Sequence, residues 1–437
     1  MFRKPSATAV YLMMMAVTGF AFAMMGTIFS VYQIIEARLD PLELVLMGTV
    51  LEGTVLVFEV PTGIVADSIS RRTSIIVGMS IMGAGFVLMS TTTSFVVLAA
   101  SQAIWGLGYT FTSGADVAWI TDEVGEQEAA RLYLRGSQWA QFAALFGIAG
   151  SIGLAVIALG LPLLVAGLLH VALAVVLILV MPERAFRRPE KASVRHSVGS
   201  TVRDSLGAVK RRPVLLLIFA VAAIHGASTE GFDRLSYALL IRDVTLPSLA
   251  GLDPLVWFGV IGAGGLLLGM GGAELVKRGV DITTHRGASR TLLLLDAGLT
   301  LSVVLFALTV GFLPAIALIW AEGLFREVRD PVFAAWVNQG LDSRSRATVN
   351  SMGSQVDALG QVGVGPLIGL LAVARSVQVA IVAAGLLRLP ALALYSKTLG
   401  SGRAQAVEEE ADRPLGVDDL GIDLPGAPNP PRISEPD

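Results

Sequence analysis

The groups in this sequence best placed to do chemistry are ionisable side chains set inside long apolar runs. Eleven carboxylates and four arginines are placed this way. The acids are Glu52 and Glu59 in one run, Asp116 in another, Glu230 and Asp233 in a third, and then Glu274, Asp296, Glu322, Glu327, Asp330 and Asp357. The bases are Arg234, Arg326, Arg329 and Arg388. A charge in hydrocarbon is expensive, so such a side chain is expected to face a cavity or a partner. Loss of hydration favours the neutral form of an unpaired carboxyl, which suits it to taking up and releasing protons. With acids outnumbering bases, the interior favours cations and protons over anions.

Helical spacing separates the acids that can be neutralised locally from those that cannot. Glu230 and Arg234, Glu322 and Arg326, and Arg326 and Asp330 are each four residues apart and can pair on one helix face. Asp233 and Arg234 are adjacent and point apart. Glu52 and Glu59 have no base on their own run, and seven residues place them on one face about 10 Å apart along the axis. Glu52, Glu59 and Asp233 are therefore the candidates for carrying a proton. Alternatively, Glu52 and Glu59 each accept an arginine from another helix or cap a backbone break near Pro61. Pro331, following Asp330, removes a helix hydrogen bond where charges cluster, giving either a gating bend or a tolerated kink.

Other chemistries lack their residues. The chain has no cysteine and four scattered histidines, His170, His196, His225 and His285, so neither a disulfide nor a metal site is expected. No phosphate-binding Gly-x-x-x-x-Gly-Lys loop, His-Glu-x-x-His pair or Gly-x-Ser-x-Gly elbow is present. The expectation is a non-enzymatic protein with no cofactor and no nucleic-acid partner.

The elements that must position these charges are membrane helices. Hydrophobic residues make up 54% of 437 positions, charged residues 15%, and the mean hydropathy is +0.70, far above a soluble domain. Apolar stretches long enough to cross a bilayer recur twelve times, near 9–35, 41–66, 73–91, 95–121, 137–159, 161–181, 213–241, 254–276, 290–310, 312–337, 347–371 and 376–397. The first reads as a retained helix and not a signal peptide. Twenty-two lysines and arginines fall on the side of the N-terminus, against Arg38, Arg242 and Arg375 on the other. By the positive-inside rule both termini are cytoplasmic, in a multi-pass protein of the inner or plasma membrane.

The spans divide six and six. Residues 1–181 form a first six-helix bundle and 213–398 a second. Between them lies a basic linker, 182–212, read either as a solvated loop or as a segment lying along the anionic inner leaflet. Residues 399–437 turn acidic and proline-rich, a composition that cannot bury enough apolar surface to order itself. Gly271, Gly272, Glu274, Lys277 and Arg278 after span eight faintly echo the stretch after span two, as in two repeats facing a cavity. Spans three, six, nine and twelve hold at most one ionisable group each, so every third span has a lipid-like composition.

The stretch after span two carries the strongest pattern. Glu59 to Arg72 reads Glu-Val-Pro-Thr-Gly-Ile-Val-Ala-Asp-Ser-Ile-Ser-Arg-Arg, and the spacing of Gly63, Ala66, Asp67, Arg71 and Arg72 resembles the signature of the major facilitator superfamily. Ser68 stands where that signature commonly has a basic residue, and Ser70 where it has glycine. Further stretches, Trp105 to Ala115, Ala118 to Gly125, Leu134 to Gln138, Glu230 to Arg234 and Trp336 to Asp342, resemble its drug-proton antiporters, which include tetracycline and macrolide efflux proteins. The glycine-proline motif of many antiporters is not matched, since Gly147, Gly150 and Gly153 have no proline among them. The resemblance implies an all-α fold of twelve helices in two bundles, with spans one, four, seven and ten lining the path. It implies an inner gate in which Asp67 and Arg72, with Gly63 and Arg71, latch onto acids ending span four, namely Asp116, Asp122 or Glu123.

The charges expected to line the cavity are Glu230, Arg234, Glu322, Arg326, Arg329, Asp330 and Asp357. The function implied is proton-coupled efflux of an amphipathic neutral or cationic small molecule by alternating access. The partners are that substrate, protons and the lipid bilayer, and the protein acts as a monomer. The alternatives are uptake or facilitated diffusion of a nutrient on the same fold, and a non-transporting receptor or scaffold.

Overall fold

The computed structural model describes residues 5–186, 213–248, 251–279, 284–339 and 343–400. Most of the 182–212 linker and of the acidic C-terminal stretch lie outside these residues. So do the side chains of Glu274, Lys277 and Arg278. Among the described residues there are helices and turns and no strand. In the first half the helices are Ala7–Val31, Pro41–Ser68, Arg71–Ser90, Phe95–Thr112, Ala115–Val124, Glu126–Ala155 and Leu161–Val180. In the second they are Pro213–Asp243, Val256–Gly279, His285–Leu308, Phe312–Asn338, Ser343–Ala374, Val377–Leu386 and Leu389–Gly400. The expected spans map onto these one for one, except that spans four and twelve are each two helices in line.

Sequence chemistry explains the ends and breaks. Asp40 and Glu43 form a reciprocal capping box at the start of span two, with both bonds at 2.9 Å and Pro41 in the first turn. Ser70 caps span three by accepting from the Thr73 amide at 3.0 Å. Gly114, at φ 72°, interrupts span four with a left-handed residue that a β-carbon would strain. Span one ends in a π-helical turn, Tyr32–Glu36, of the kind that often marks functional positions.

Nine of these helices are long and apolar enough to cross a membrane among the described residues. Spans five, eight and ten fall short for identifiable reasons. Span five begins with a polar first third that includes Glu126, Glu128, Arg131 and Arg135, and span ten carries five charges. In span eight the qualifying apolar segment is only Val256–Gly272. On the outer spans the exposed residues are aliphatic, with Leu179 and Val175 on span six and Leu294, Leu301 and Leu308 on span nine each more than half exposed. Such belts suit lipid and would associate in water.

Helices approach most closely where small residues meet. A β-carbon at Gly147 of span five would lie 2.2 Å from the Phe20 carbonyl oxygen of span one, and one at Gly360 of span eleven 2.3 Å from that of Ala223 on span seven. Both glycines are therefore required for contact of backbone with backbone. Gly147 thus reads as packing, in place of the unmatched antiporter motif.

The two halves touch along two seams, span two against spans seven and eleven and span five against eight. Every close approach there lies at one end. Gly369 meets Leu42, Gly365 meets Thr49, and Gly259 and Gly262 meet Ile152 and Ile148. These residues fall in the parts of their helices remote from the 182–212 linker. Among the described residues the halves close on one another at that far end and are parted at the linker end.

Candidate functional site

Between the halves lies a cavity of about 810 Å³. Spans two and four form its first wall, and spans seven, ten and eleven the other. Lining residues such as Glu59, Ser113, Val349 and Asn350 belong to the linker-side parts of their helices, so the cavity opens at that end. The size suits a drug-sized molecule.

On the first wall Glu52 and Glu59 stand among Leu51, Val55, Trp105 and Tyr109. Neither carboxylate has a hydrogen-bond or ion-pair partner among the described residues. The one-face placement expected from their spacing is realised, since both line the same cavity. Span two runs through Pro61 as one helix, and beside it the Thr62 hydroxyl lies 2.8 Å from the Phe58 carbonyl oxygen and 2.9 Å from that of Thr110 on span four.

The second side is different: of the charges expected to line the cavity, Arg329, Asp330 and Asp357 do so, whereas Glu230, Arg234, Glu322 and Arg326 are not among its lining residues and lie behind that wall. Glu230 and Arg234 pair at 3.0 Å, with Glu230 only 1% exposed, and Glu322 pairs with Arg326 at 2.5 Å. The expectation of Asp233 as an unpaired acid is corrected. Arg326 of span ten crosses to it, with contacts of 3.0 and 2.8 Å, a pairing invisible from span seven alone. Asp330 is not joined to Arg326; it lies 3.5 Å from Arg329 and is 61% exposed to the cavity. Arg329 itself, 2% exposed, is fixed by Asp296 of span nine at 2.9 Å and lies 4.8 Å above the Phe333 ring. Asp357 accepts from the Gln361 amide at 2.9 Å.

The charges on the lipid-like spans point inward. Asp296 serves Arg329, and Arg388 of span twelve donates to Ser228 of span seven at 2.8 Å. His170 of span six is buried between Phe22 and Phe86, at ring distances of 5.2 and 5.3 Å.

At the linker end the inner motif is engaged by a different arginine from the one expected. Arg71, not Arg72, contacts Asp122, and it also donates to the Ala118 carbonyl at 2.8 Å. Arg72 uses its side chain on the Ile178 carbonyl at 2.5 Å and its backbone amide on Glu183 at 2.9 Å. Glu123 accepts from the Arg184 and Ala185 amides. Asp67 lies 3.7 Å from Arg71 and is 67% exposed. Asp116 sits in the first turn after the Gly114 break, where it accepts from the Val117 amide at 2.7 Å, a favourable place for an acid. A β-carbon at Gly63 would meet nothing within 4 Å.

Sequence reading passed over His225, which lines the cavity, because a lone histidine on an apolar helix carries no local signal. Among the described residues no cluster of three or more metal-binding side chains occurs.

Comparison with known proteins agrees with this architecture. Residues 6–321 match the Major Facilitator Superfamily, and the chain belongs to that family. It is 30% identical over 125 residues to an uncharacterized MFS-type transporter, YxaM, of Bacillus subtilis (strain 168); the match covers 28% of this chain and just under a third, 31%, of that protein. Among solved structures it is similar to nucleoside transporter NupG, with TM-score 0.71 and 12% identity over 91% of this chain and 100% of that one. A bacterial homolog of the human lysosomal transporter Spinster, inward-facing and unoccupied, gives TM-score 0.70 and 16% identity over 94% and 99%. Peptide transporter POT in complex with sulfate gives 0.70 and 16% over 93% and 95%. At these identities the likeness is one of fold. The family makes the chain a multi-pass membrane transporter of small molecules and not an enzyme.

Proposed function

We propose that this transporter expels an amphipathic cationic or neutral small molecule in exchange for protons. The observation that carries this reading is the first wall of the cavity: two carboxylates without partners, Glu52 and Glu59, set among aliphatic and aromatic side chains and open at the linker end. An organic cation finds there charge neutralisation together with apolar and π surface. The same two acids can carry a proton in its place, so that substrate and proton compete for one site. An anion would meet only repulsion on that wall, and the arginines of the opposite wall are engaged by acids.

In this reading the linker end is cytoplasmic, and the cavity is the inward-open form of a monomer in the cell membrane. Two six-helix halves rock about the seams at spans two and eleven and at spans five and eight, giving alternating access. The likeness of Trp105 to Ala115 and of Ala118 to Gly125 to drug-proton antiporters supports the direction and the substrate class.

The test is a susceptibility panel across drug classes in an efflux-deficient host, with and without a proton uncoupler. Expression should raise resistance to cationic amphiphiles, and the uncoupler should abolish the gain. Accumulation of a nutrient with no change in any susceptibility would favour uptake instead.

A further inference from the structure

His225 stands on the second wall of the cavity, five residues before Glu230 on span seven. Its Nδ1 is buried and has no hydrogen-bond partner among the described residues, and no hydrogen bond engages its other ring nitrogen there. A buried donor or acceptor left unpaired is costly, and a ligand that supplies the partner removes that cost. Neutral imidazole offers one donor and one acceptor.

The turn that carries His225 is held firmly. A β-carbon at Gly226 would lie 2.0 Å from the Asp357 carbonyl oxygen of span eleven, so backbone packs directly on backbone there. Ser228 donates to the His225 carbonyl at 2.8 Å and accepts from Arg388 of span twelve at 2.8 Å. The ring is therefore presented to the cavity from a fixed backbone, which a binding group needs if it is to discriminate.

The charges around it select the kind of group it takes. Arg326, Arg329 and Arg388 all act on the ring. Arg326 is matched by Asp233 and Glu322, Arg329 by Asp296 and Asp330, and Asp357 lines the same wall. The two guanidiniums of span ten are thus neutralised by acids and offer no free charge to an anion, and Arg388, which has no acid partner among the described residues, is turned onto the Ser228 hydroxyl.

We propose that His225 is a specificity-determining residue that hydrogen-bonds an uncharged polar group of the substrate, such as a carbonyl, hydroxyl or amide. The substrate's cationic part rests against Glu52 and Glu59, so this inference builds on the cavity being a site for amphipathic cations. The substrate class is then a cationic amphiphile with a neutral hydrogen-bonding group at a distance from its charge.

Two probes of nearly equal size separate these features: tetraphenylphosphonium, which has no hydrogen-bonding group, and its para-carboxamide derivative. Affinities are measured on the full-length protein in lipid nanodiscs. The wild type should bind the carboxamide roughly threefold to tenfold more tightly, the range of one net hydrogen bond. H225F, similar in volume, should bind tetraphenylphosphonium as the wild type does and lose the preference; H225Q, which retains a donor and an acceptor, should keep part of it. A preference unchanged in H225F, or equal weakening of both probes in both variants, overturns the assignment while leaving the cation reading intact. A wild type that binds neither probe overturns the cation reading and this inference with it.

Discussion

The charges on the two sides of the cavity are in opposite conditions. On spans seven and ten, Glu230, Asp233, Glu322 and Arg329 are tied into ion pairs, and those of Asp233 and Arg329 cross between helices, while Asp357 of span eleven is held by the Gln361 side-chain amide. On spans two and four, Glu52 and Glu59 have no partner among the described residues. Charges that hold helices together must stay satisfied throughout a cycle, whereas a charge that exchanges ligands must be free to change partner. The second wall thus reads as framework and the first as the exchanging surface, and substitutions should separate the two.

The largest effect is expected where the framework is driest. Asp296 and Arg329 are 3% and 2% exposed, and removing one partner of such a pair strands the other charge. Asp296→Asn or Arg329→Met should destabilise the protein by about 3–5 kcal/mol. Replacing both partners with apolar residues should recover much of the loss. Thermal unfolding in detergent measures both; an unperturbed melt for the single variants would remove the distinction between the walls.

Next comes the seam that closes the far end. A β-carbon at Gly48 would lie 1.7 Å from Glu230 Oε1 and 2.3 Å from Arg234 Nε. That ion pair is packed against span two, so Gly48→Val, which must displace the ends of both side chains, should part the halves at the far end and lower transport. The chain has no cysteine, so accessibility can be read cleanly from one introduced at Leu239, which is 2% exposed and borders the far-end crevice. Labelling of Leu239→Cys should be slow in the otherwise unchanged protein and fast with Gly48→Val.

On the exchanging wall, Glu52→Gln and Glu59→Gln should leave the melting temperature nearly unchanged, because no partner is lost. Gradient-driven transport should be abolished in at least one of them while downhill counterflow survives, since an amide cannot release a proton during the cycle. Uphill transport by both variants would move coupling to the opposite wall. Asp233→Asn should behave differently, lowering stability together with transport, because it removes an acceptor from Arg326.

Much of this contrast is legible in the sequence. The seven-residue spacing of Glu52 and Glu59 puts them on one surface, and the four-residue spacings of Glu230 and Arg234 and of Glu322 and Arg326 give real pairs, because both signals are local to one helix. The state of Asp233 is not legible, because its partner comes from span ten. The pairing of Arg329 with Asp296 likewise depends on how spans nine and ten pack, which no periodicity within either helix records. His225 is invisible for the opposite reason: its significance lies in lacking a partner, and a sequence does not show an unfilled hydrogen bond.

The smallest effect on stability is expected at the inner motif, where it sharpens the comparison in a different way. Asp67 is 67% exposed and 3.7 Å from Arg71, and an exposed ion pair contributes about 0–1 kcal/mol. Arg71, by contrast, contacts Asp122 and donates to the Ala118 carbonyl, so Arg71→Ala should destabilise the protein more than Asp67→Asn. If Asp67 matters for transport, it must act in a state other than this one, with the linker end closed and the carboxylate against the second half. Asp67→Asn should therefore leave the melt within about 0.5 kcal/mol of wild type, as for ordinary surface positions, while slowing transport and raising the linker-end reactivity of a cysteine placed at Ser113. Normal transport with unchanged reactivity would reduce Asp67 to a surface charge and leave Arg71, through Asp122, as the residue by which the motif acts.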